Sequence, residues 1–181
     1  MRKLKNEELG RLSPEEFREA PKIPVHVVLD NVRSAHNVGS VFRSSDAFRV
    51  EKIWLCGITA TPPNRDIRKT ALGATESVAW EYAESTPELI GQLQGEGFQC
   101  FAVEQATRAQ ELADFQPVVN TPIALILGHE VDGVAQEVVD VCDGVLEIPQ
   151  HGTKHSLNVS VAAGIVLWEV SRKLSPASSK L

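Results

Sequence analysis

The amino-acid sequence predicts an α/β fold: a mostly parallel sheet with helices on both faces. Three observations carry this. Five short runs rich in Val, Ile and Leu have the length and composition of strands, namely Val25 to Leu29, Lys52 to Cys56, Gln99 to Val103, Ile123 to Leu127 and Val145 to Ile148. Segments with helical spacing lie between them. Alternation of strand and helix favours parallel neighbours, because parallel strands need crossover connections, which cover both faces of the sheet.

Taken in order, residues 1–22 carry alternating charges and the helix start Ser13-Pro14-Glu15-Glu16, and are read as an N-terminal helical extension. The domain proper spans 23–174. Its internal helices are expected over His36 to Phe48, over Pro87 to Gln94 with Thr86 as cap, and over Val134 to Val141. The last helix, Leu157 to Leu174, is apolar nearly all round from Val161 to Trp168. It should therefore be buried on most sides, in the core or against a second copy of the chain. Residues 175–181 are expected to fray.

The chain has 181 residues, 43% hydrophobic and 23% charged, which suits one core and one domain. Neither a secretory leader nor an apolar run long enough to cross a bilayer is evident, so a cytoplasmic protein without membrane contact is expected. Cys56, Cys100 and Cys142 sit in or beside apolar runs and read as reduced thiols. Net charge is −6, yet its distribution is uneven. Residues 31–75 carry seven Lys/Arg against three Asp/Glu, 148–181 carry four against one, and 76–147 carry one against fourteen. Either the surface is merely uneven, or the two basic segments meet on a face that binds anions.

Three polar clusters stand where strands end, the edge at which parallel sheets present ligands. In the first, after Leu29, Asn37 is taken to begin a helix with Ser40 and either Arg43 or Ser44 along the same flank, a seat for a phosphate or a ribose. The competing account makes Asn37 a helix cap, Gly39 a close-packing residue and Arg43 a surface charge. The second, Gly128 to Gly133 after an apolar strand, offers a backbone that a ligand could approach, with Glu130 beside it; a plain turn explains the glycines equally well. The third runs from Ile148 through Gly152 to Ser156 and Asn158 at the mouth of the last helix, where capping is the simpler account. No phosphate-binding loop, dinucleotide fingerprint or G-x-S-x-G elbow is present, and the five histidines lack metal-ligand spacing.

In this order and spacing the clusters closely resemble the three motifs of the SpoU/TrmH branch of the SPOUT RNA methyltransferases. The resemblance rests on Asn37 to Arg43, on Gly128-x-Glu130-x-x-Gly133, and on Ile148-Pro149-x-x-Gly152 followed by Ser156-Leu157-Asn158-Val159-Ser160, and spans about residues 25–170. It implies a C-terminal trefoil knot, a homodimer, and transfer of a methyl group from S-adenosylmethionine to a ribose 2′-hydroxyl of RNA, leaving S-adenosylhomocysteine, with no metal. It further implies that Val103, Glu104, Leu127, Gly128, Ile148, Pro149, Gln150 and Leu157 hold the cofactor, and that Asn37, Arg43, Glu130, Ser156 and Asn158 form the active site. Transfer RNA is expected ahead of ribosomal RNA, because the chain lacks room for the separate N-terminal RNA-binding domain of several ribosomal RNA methylases. Two departures, Ser34-Ala35-His36 before Asn37 and Gln150 after Pro149, bear on substrate choice. The competing readings are a catalytically silent RNA-binding module, a methyltransferase acting on a base nitrogen, and a small-molecule α/β enzyme.

Overall fold

The structure, a computed structural model, describes residues 1–174; the tail expected to fray lies outside the described residues. A 3-10 turn (Asn6–Leu9) and α1 (Pro14–Glu19) precede β1 (Ile23–Asp30), α2 (Ala35–Ala47), β2 (Val50–Cys56), α3 (Arg65–Ala71), α4 (Ala74–Ser77) and β3 (Ala79–Ala83). There follow α5 (Thr86–Gly95), β4 (Gln99–Val103), β5 (Gln110–Glu111), β6 (Ile123–Leu127), α6 (Gln136–Val141), β7 (Gly144–Glu147) and α7 (Val159–Leu174). The strands form one sheet in the order β3-β2-β1-β6-β4-β7-β5, and every neighbouring pair is parallel.

Alternate residues of each central strand feed two cores, as the pleat requires. Val25, Val27 and Leu29 of β1 and Leu125 and Leu127 of β6 point into the core beneath α2, α3, α4 and α7. Val28 of β1 and Ala124 and Ile126 of β6 point the other way, into the core beneath α5 and α6. Phe17 of α1 joins the first core, and Ser13 caps that helix by accepting from the Glu16 N–H while Glu16 reaches back to the Ser13 N–H at 2.7 Å.

Several expectations need correction. Ser34, not Asn37, caps α2, accepting from the Asn37 N–H at 3.4 Å. Thr86 does not cap α5, because its hydroxyl donates to the buried Asp30 carboxylate at 2.5 Å; Ser85 takes the cap. The final helix begins at Val159, two residues after Leu157, and α6 begins at Gln136 rather than Val134. β3, β5, α3 and α4 were not expected at all: β3 is an edge strand that exposes most of its side chains, β5 has two residues, and the two helices are short. Nor is α7 buried on most sides within one chain. Ala163, Val166, Leu167 and Val170 enter the core, whereas Val161, Ile165 and Trp168 form an exposed apolar stripe, with Trp168 57% exposed.

The topology creates one functional edge. Because all strands run the same way, the segments after β1, β2, β4, β6 and β7 emerge together. The order reverses beside β1: β2 and β3 build outward on one side, and α5 carries the chain across the opposite face to β4. Open parallel sheets place ligands at such a reversal. The basic segments also meet, since α2 packs against both α3 and α7, while the acid-rich stretch supplies α5 and α6 on the far face. Among the described residues no helix is long and apolar enough to cross a membrane.

Candidate active site

Glu130, three residues past β6, draws the first two clusters together. One carboxylate oxygen accepts from the Ser34 N–H at 2.9 Å and from Asn37 Nδ2 at 2.8 Å, and the other accepts from the Arg33 N–H at 3.0 Å. Burial pushes this carboxyl up, but hydrogen bonds from Asn37, Ser34 and Arg33 outweigh it and hold the group below the usual glutamate range. Glu130 is thus an ionised acceptor that fixes the segment before α2.

Asn37 passes the connection to the third cluster. With the cap supplied by Ser34, its amide is free: Nδ2 donates to Glu130 and Oδ1 accepts from Asn158 Nδ2 at 3.1 Å. Asn158 is the residue that caps. Its Oδ1 accepts from the Ser160 N–H at 2.9 Å and from the Ser160 hydroxyl at 2.6 Å, and its carbonyl accepts the Val161 and Ala162 N–H groups that open α7. The line from Asn158 through Asn37 to Glu130 has one consistent donor direction, and it joins the first turns of α2 and α7 to the loop after β6.

Beside this line lies a cleft of about 420 Å³ between the loops after β4, β6 and β7. Of the residues expected to hold a cofactor, Val103, Glu104, Leu127, Gly128, Ile148, Gln150 and Leu157 line it, as do Glu130 and Ser156. Pro149 does not line it, although its neighbours Ile148 and Gln150 do. Glu104 closes one wall as a staple, accepting from the Gln105 N–H at 2.8 Å and across the cleft from the Val134 N–H at 3.1 Å. Gly128 was expected to let a ligand approach the backbone. A Cβ there would instead stand 2.2 Å from the carbonyl of Gly133, so the space belongs to the turn itself. Within that turn, His129 and Gly133 exchange backbone hydrogen bonds of 3.0 and 2.9 Å, and Gly133 holds a φ of 69°, a conformation that favours glycine.

Two expected residues stand apart from the network. Ser156 is exposed on the cleft rim with no hydrogen bond among the described residues, so it is not a cap. Arg43 is exposed and touches neither the network nor the cleft; Ser44, its neighbour, faces α7, with its hydroxyl 3.9 Å from where a Cβ on Gly164 would be. Gly39 is a close-packing residue: a Cβ would meet Thr70 Oγ1 at 2.1 Å and the Ile67 carbonyl at 2.3 Å on α3. Sequence reasoning missed Gln105, His129 and His155 at this site, and it read Ser34 as a matter of substrate choice rather than as the cap of α2 and a donor to Glu130. Gln105 donates to the His155 carbonyl at 2.7 Å and tethers the loop after β7, a contact to backbone that leaves no mark in residue type. Burial lifts the three cysteine thiols to about 12, so they take no part as thiolates.

The profile of the SpoU rRNA Methylase family matches residues 24–168. The 23S rRNA (guanosine-2′-O-)-methyltransferase RlmB of Coxiella burnetii is 35% identical over 176 residues, which cover 96% of this chain and 68% of that protein. The RlmB of Vibrio parahaemolyticus is 33% identical over 150 residues, covering 83% and 60%. The chain therefore spans about three fifths to two thirds of the length of these curated relatives. Among solved structures, the TrmH/SpoU tRNA modifying enzyme of A. aeolicus superposes with a TM-score of 0.78 at 26% identity, over 88% of this chain and 81% of that one. The AdoMet-bound rRNA methyltransferase of Sinorhizobium meliloti also gives 0.78, at 27% identity over 92% and 62%. With its all-parallel sheet and with Asn37, Glu130 and Asn158 bonded in one line at the edge where the strands end, the chain belongs to the SpoU methylase family.

Proposed function

We propose that this chain transfers a methyl group from S-adenosylmethionine to a ribose 2′-hydroxyl of RNA. The observation that carries the reading is the Asn158–Asn37–Glu130 line set against a cleft of about 420 Å³, a size suited to a small-molecule ligand. The cleft suits this cofactor: Val103, Leu127, Ile148 and Leu157 offer apolar walls, and the loops after β4, β6 and β7 offer backbone groups to an adenine and an amino acid. When bound, the cofactor supplies the methyl group and a good leaving group in its sulfonium.

The protein's task is then alignment of the ribose oxygen, for which positioning groups serve better than a nucleophile. Asn37 and Asn158 hold the loops in register, Glu130 fixes the entry to α2, and Ser156 stands free at the rim to meet the ribose. Arg43 is the phosphate and ribose clamp. A guanidinium with a pKa above about 12 is a poor proton acceptor but a good bidentate partner. In one chain Arg43 is outside the cleft. The exposed stripe of Val161, Ile165 and Trp168 on α7, packed beside α2, supports a homodimer in which Arg43 acts at the junction. The same reading carries the trefoil knot, an N-terminal extension over 1–22 ahead of the catalytic domain over 23–174, and a cytoplasmic location with its RNA. The names of the relatives divide between 23S rRNA and tRNA, so both RNAs enter the test.

The test supplies labelled S-adenosylmethionine with unmodified transfer RNA and, separately, ribosomal RNA, followed by digestion to nucleosides. Label in a 2′-O-methyl nucleoside is expected. Label on a base overturns the ribose assignment, and RNA binding without any transfer makes the chain a silent module. In the same assay Arg43→Ala should abolish turnover while cofactor affinity is kept; a near-normal rate would reject the clamp.

A further inference from the structure

Gly39 welds α3 to the first turns of α2, and this brings a group of unpaired charges to the site. The Thr70 hydroxyl donates to the His36 carbonyl at 2.9 Å, one residue before Asn37. The loops that lead into these helices are laced as well: the Ile58 N–H donates to Asn31 Oδ1 at 3.1 Å, and the Val32 N–H donates to Thr59 Oγ1 at 2.9 Å. Arg33 follows the first loop and Arg65 follows the second. Arg33, Arg65 and Arg68 are exposed, and among the described residues none of their side chains has a hydrogen bond or an ion pair. The carboxylate on α3, Asp66, is engaged by Lys69 at 2.7 Å, with His36 at 3.9 Å; it feels the charge of Arg65 but forms no ion pair with it or with Arg68. Of the other exposed arginines, Arg2, Arg18 and Arg172 are paired with Glu8, Glu15 and Glu169, whereas Arg11, Arg43 and Arg108 have no partner among the described residues but stand singly, outside α3 and the segment before α2.

We propose that Arg33, Arg65 and Arg68 form a phosphate track that seats the RNA strand beside the target nucleotide. The geometry suits this use. Three donors that cannot lose their charge stand on one rigid frame: Arg65 and Arg68 on α3, and Arg33 in the segment that Glu130 fixes just before α2, whose first turn carries Asn37. Phosphate contacts fix the register of a nucleic acid without reading its sequence. An RNA strand laid along α3 would thus be presented to the cleft by a surface that moves with α2. This inference rests on RNA as the substrate, and it adds where the strand lies.

The test measures affinity for a fluorescein-labelled stem–loop RNA across a salt series, using the full chain and the Arg65→Ala/Arg68→Ala double variant. The variant should bind several-fold more weakly. Its plot of log affinity against log salt should flatten by about 0.7 to 0.9 per lost contact. In the methylation assay the loss should appear in KM for RNA more than in kcat, with S-adenosylmethionine binding retained. Arg65→Lys/Arg68→Lys should restore the salt slope, which a merely structural role would not require. Arg108→Ala, an exposed arginine on the acid-rich segment, should leave the slope unchanged. A full chain that methylates RNA while the double alanine variant keeps wild-type affinity and slope overturns the track alone. A full chain that neither binds nor methylates RNA overturns both this and the assignment of RNA as substrate.

Discussion

The loops after β6 and β7 face each other across the cleft, and they are held in different ways. The loop after β6 is closed on itself by the His129–Gly133 backbone pair, braced from below by Glu104 and anchored outward through Glu130 to the segment before α2. The loop after β7, from Ile148 to Asn158, is largely exposed and has no regular structure. Its tethers among the described residues are the Gln105 contact to His155 and the Asn158 contact to Asn37. One side of the cleft is built before any ligand arrives. The other has unspent backbone donors and acceptors with which to close on one, a division seen where a rigid wall carries geometry and a looser segment carries access.

That contrast can be broken most severely at Gly128. An added Cβ meets backbone, not a flexible side-chain end, so Gly128→Ala should cost about 1 to 3 kcal/mol in chemical denaturation and remove cofactor binding in calorimetry. A variant with normal stability would mean that the turn after β6 is not the rigid wall.

A smaller effect is expected at the outward anchor. Glu130→Gln turns one oxygen into a donor that must face an N–H of Arg33 or Ser34, a loss of about 1 kcal/mol or somewhat more. The pH dependence follows from the lowered carboxyl. A group whose folded value lies below its unfolded value adds stability above the unfolded value, and that stability is lost as pH falls through the folded one. The gap in denaturation midpoint between the wild-type chain and Glu130→Gln should therefore be full near neutrality and close in acid. A gap independent of pH would show that the charge is not what anchors the loop. The smallest effect belongs to the loop after β7. Gln105→Ala removes one exposed contact, so global stability should change by less than about 0.5 kcal/mol. Amide exchange over residues 150–157 should nonetheless speed up, and unchanged exchange would show that this tether does not restrain the loop.

How far the sequence discloses such features depends on where the stabilising partner lies. β4 and β6 are delimited by sequence to the residue: β6 is an apolar run buried on both faces, and β4 buries Cys100 and Ala102 while half-burying the residues between them. β3, with Ala79, Glu81 and Tyr82 outward at the sheet edge, lacks that signature, and α3 buries only Ile67 and Ala71 amid charges. At the site, Asn37, Glu130 and Asn158 announce themselves as polar groups beside apolar elements. The roles of Ser34, Glu104 and Gly133 do not, since each depends on a backbone N–H, a carbonyl or a volume supplied from elsewhere in the chain. Asn37 shows the limit well. A cap and a network residue look alike in sequence, and only the presence of Ser34 three positions earlier, already serving the helix, separates them.

The bonds that unite the site reach 93 residues, from Asn37 to Glu130, and 121 residues, from Asn37 to Asn158. While the chain is being synthesised, β1 emerges long before β6, its central neighbour, and α2 waits longer still for the helix that packs upon it. Such distant pairings make folding slow and late. They also withhold competence: a nascent polypeptide, held close to ribosomal RNA, has no assembled site until α7 has left the ribosome.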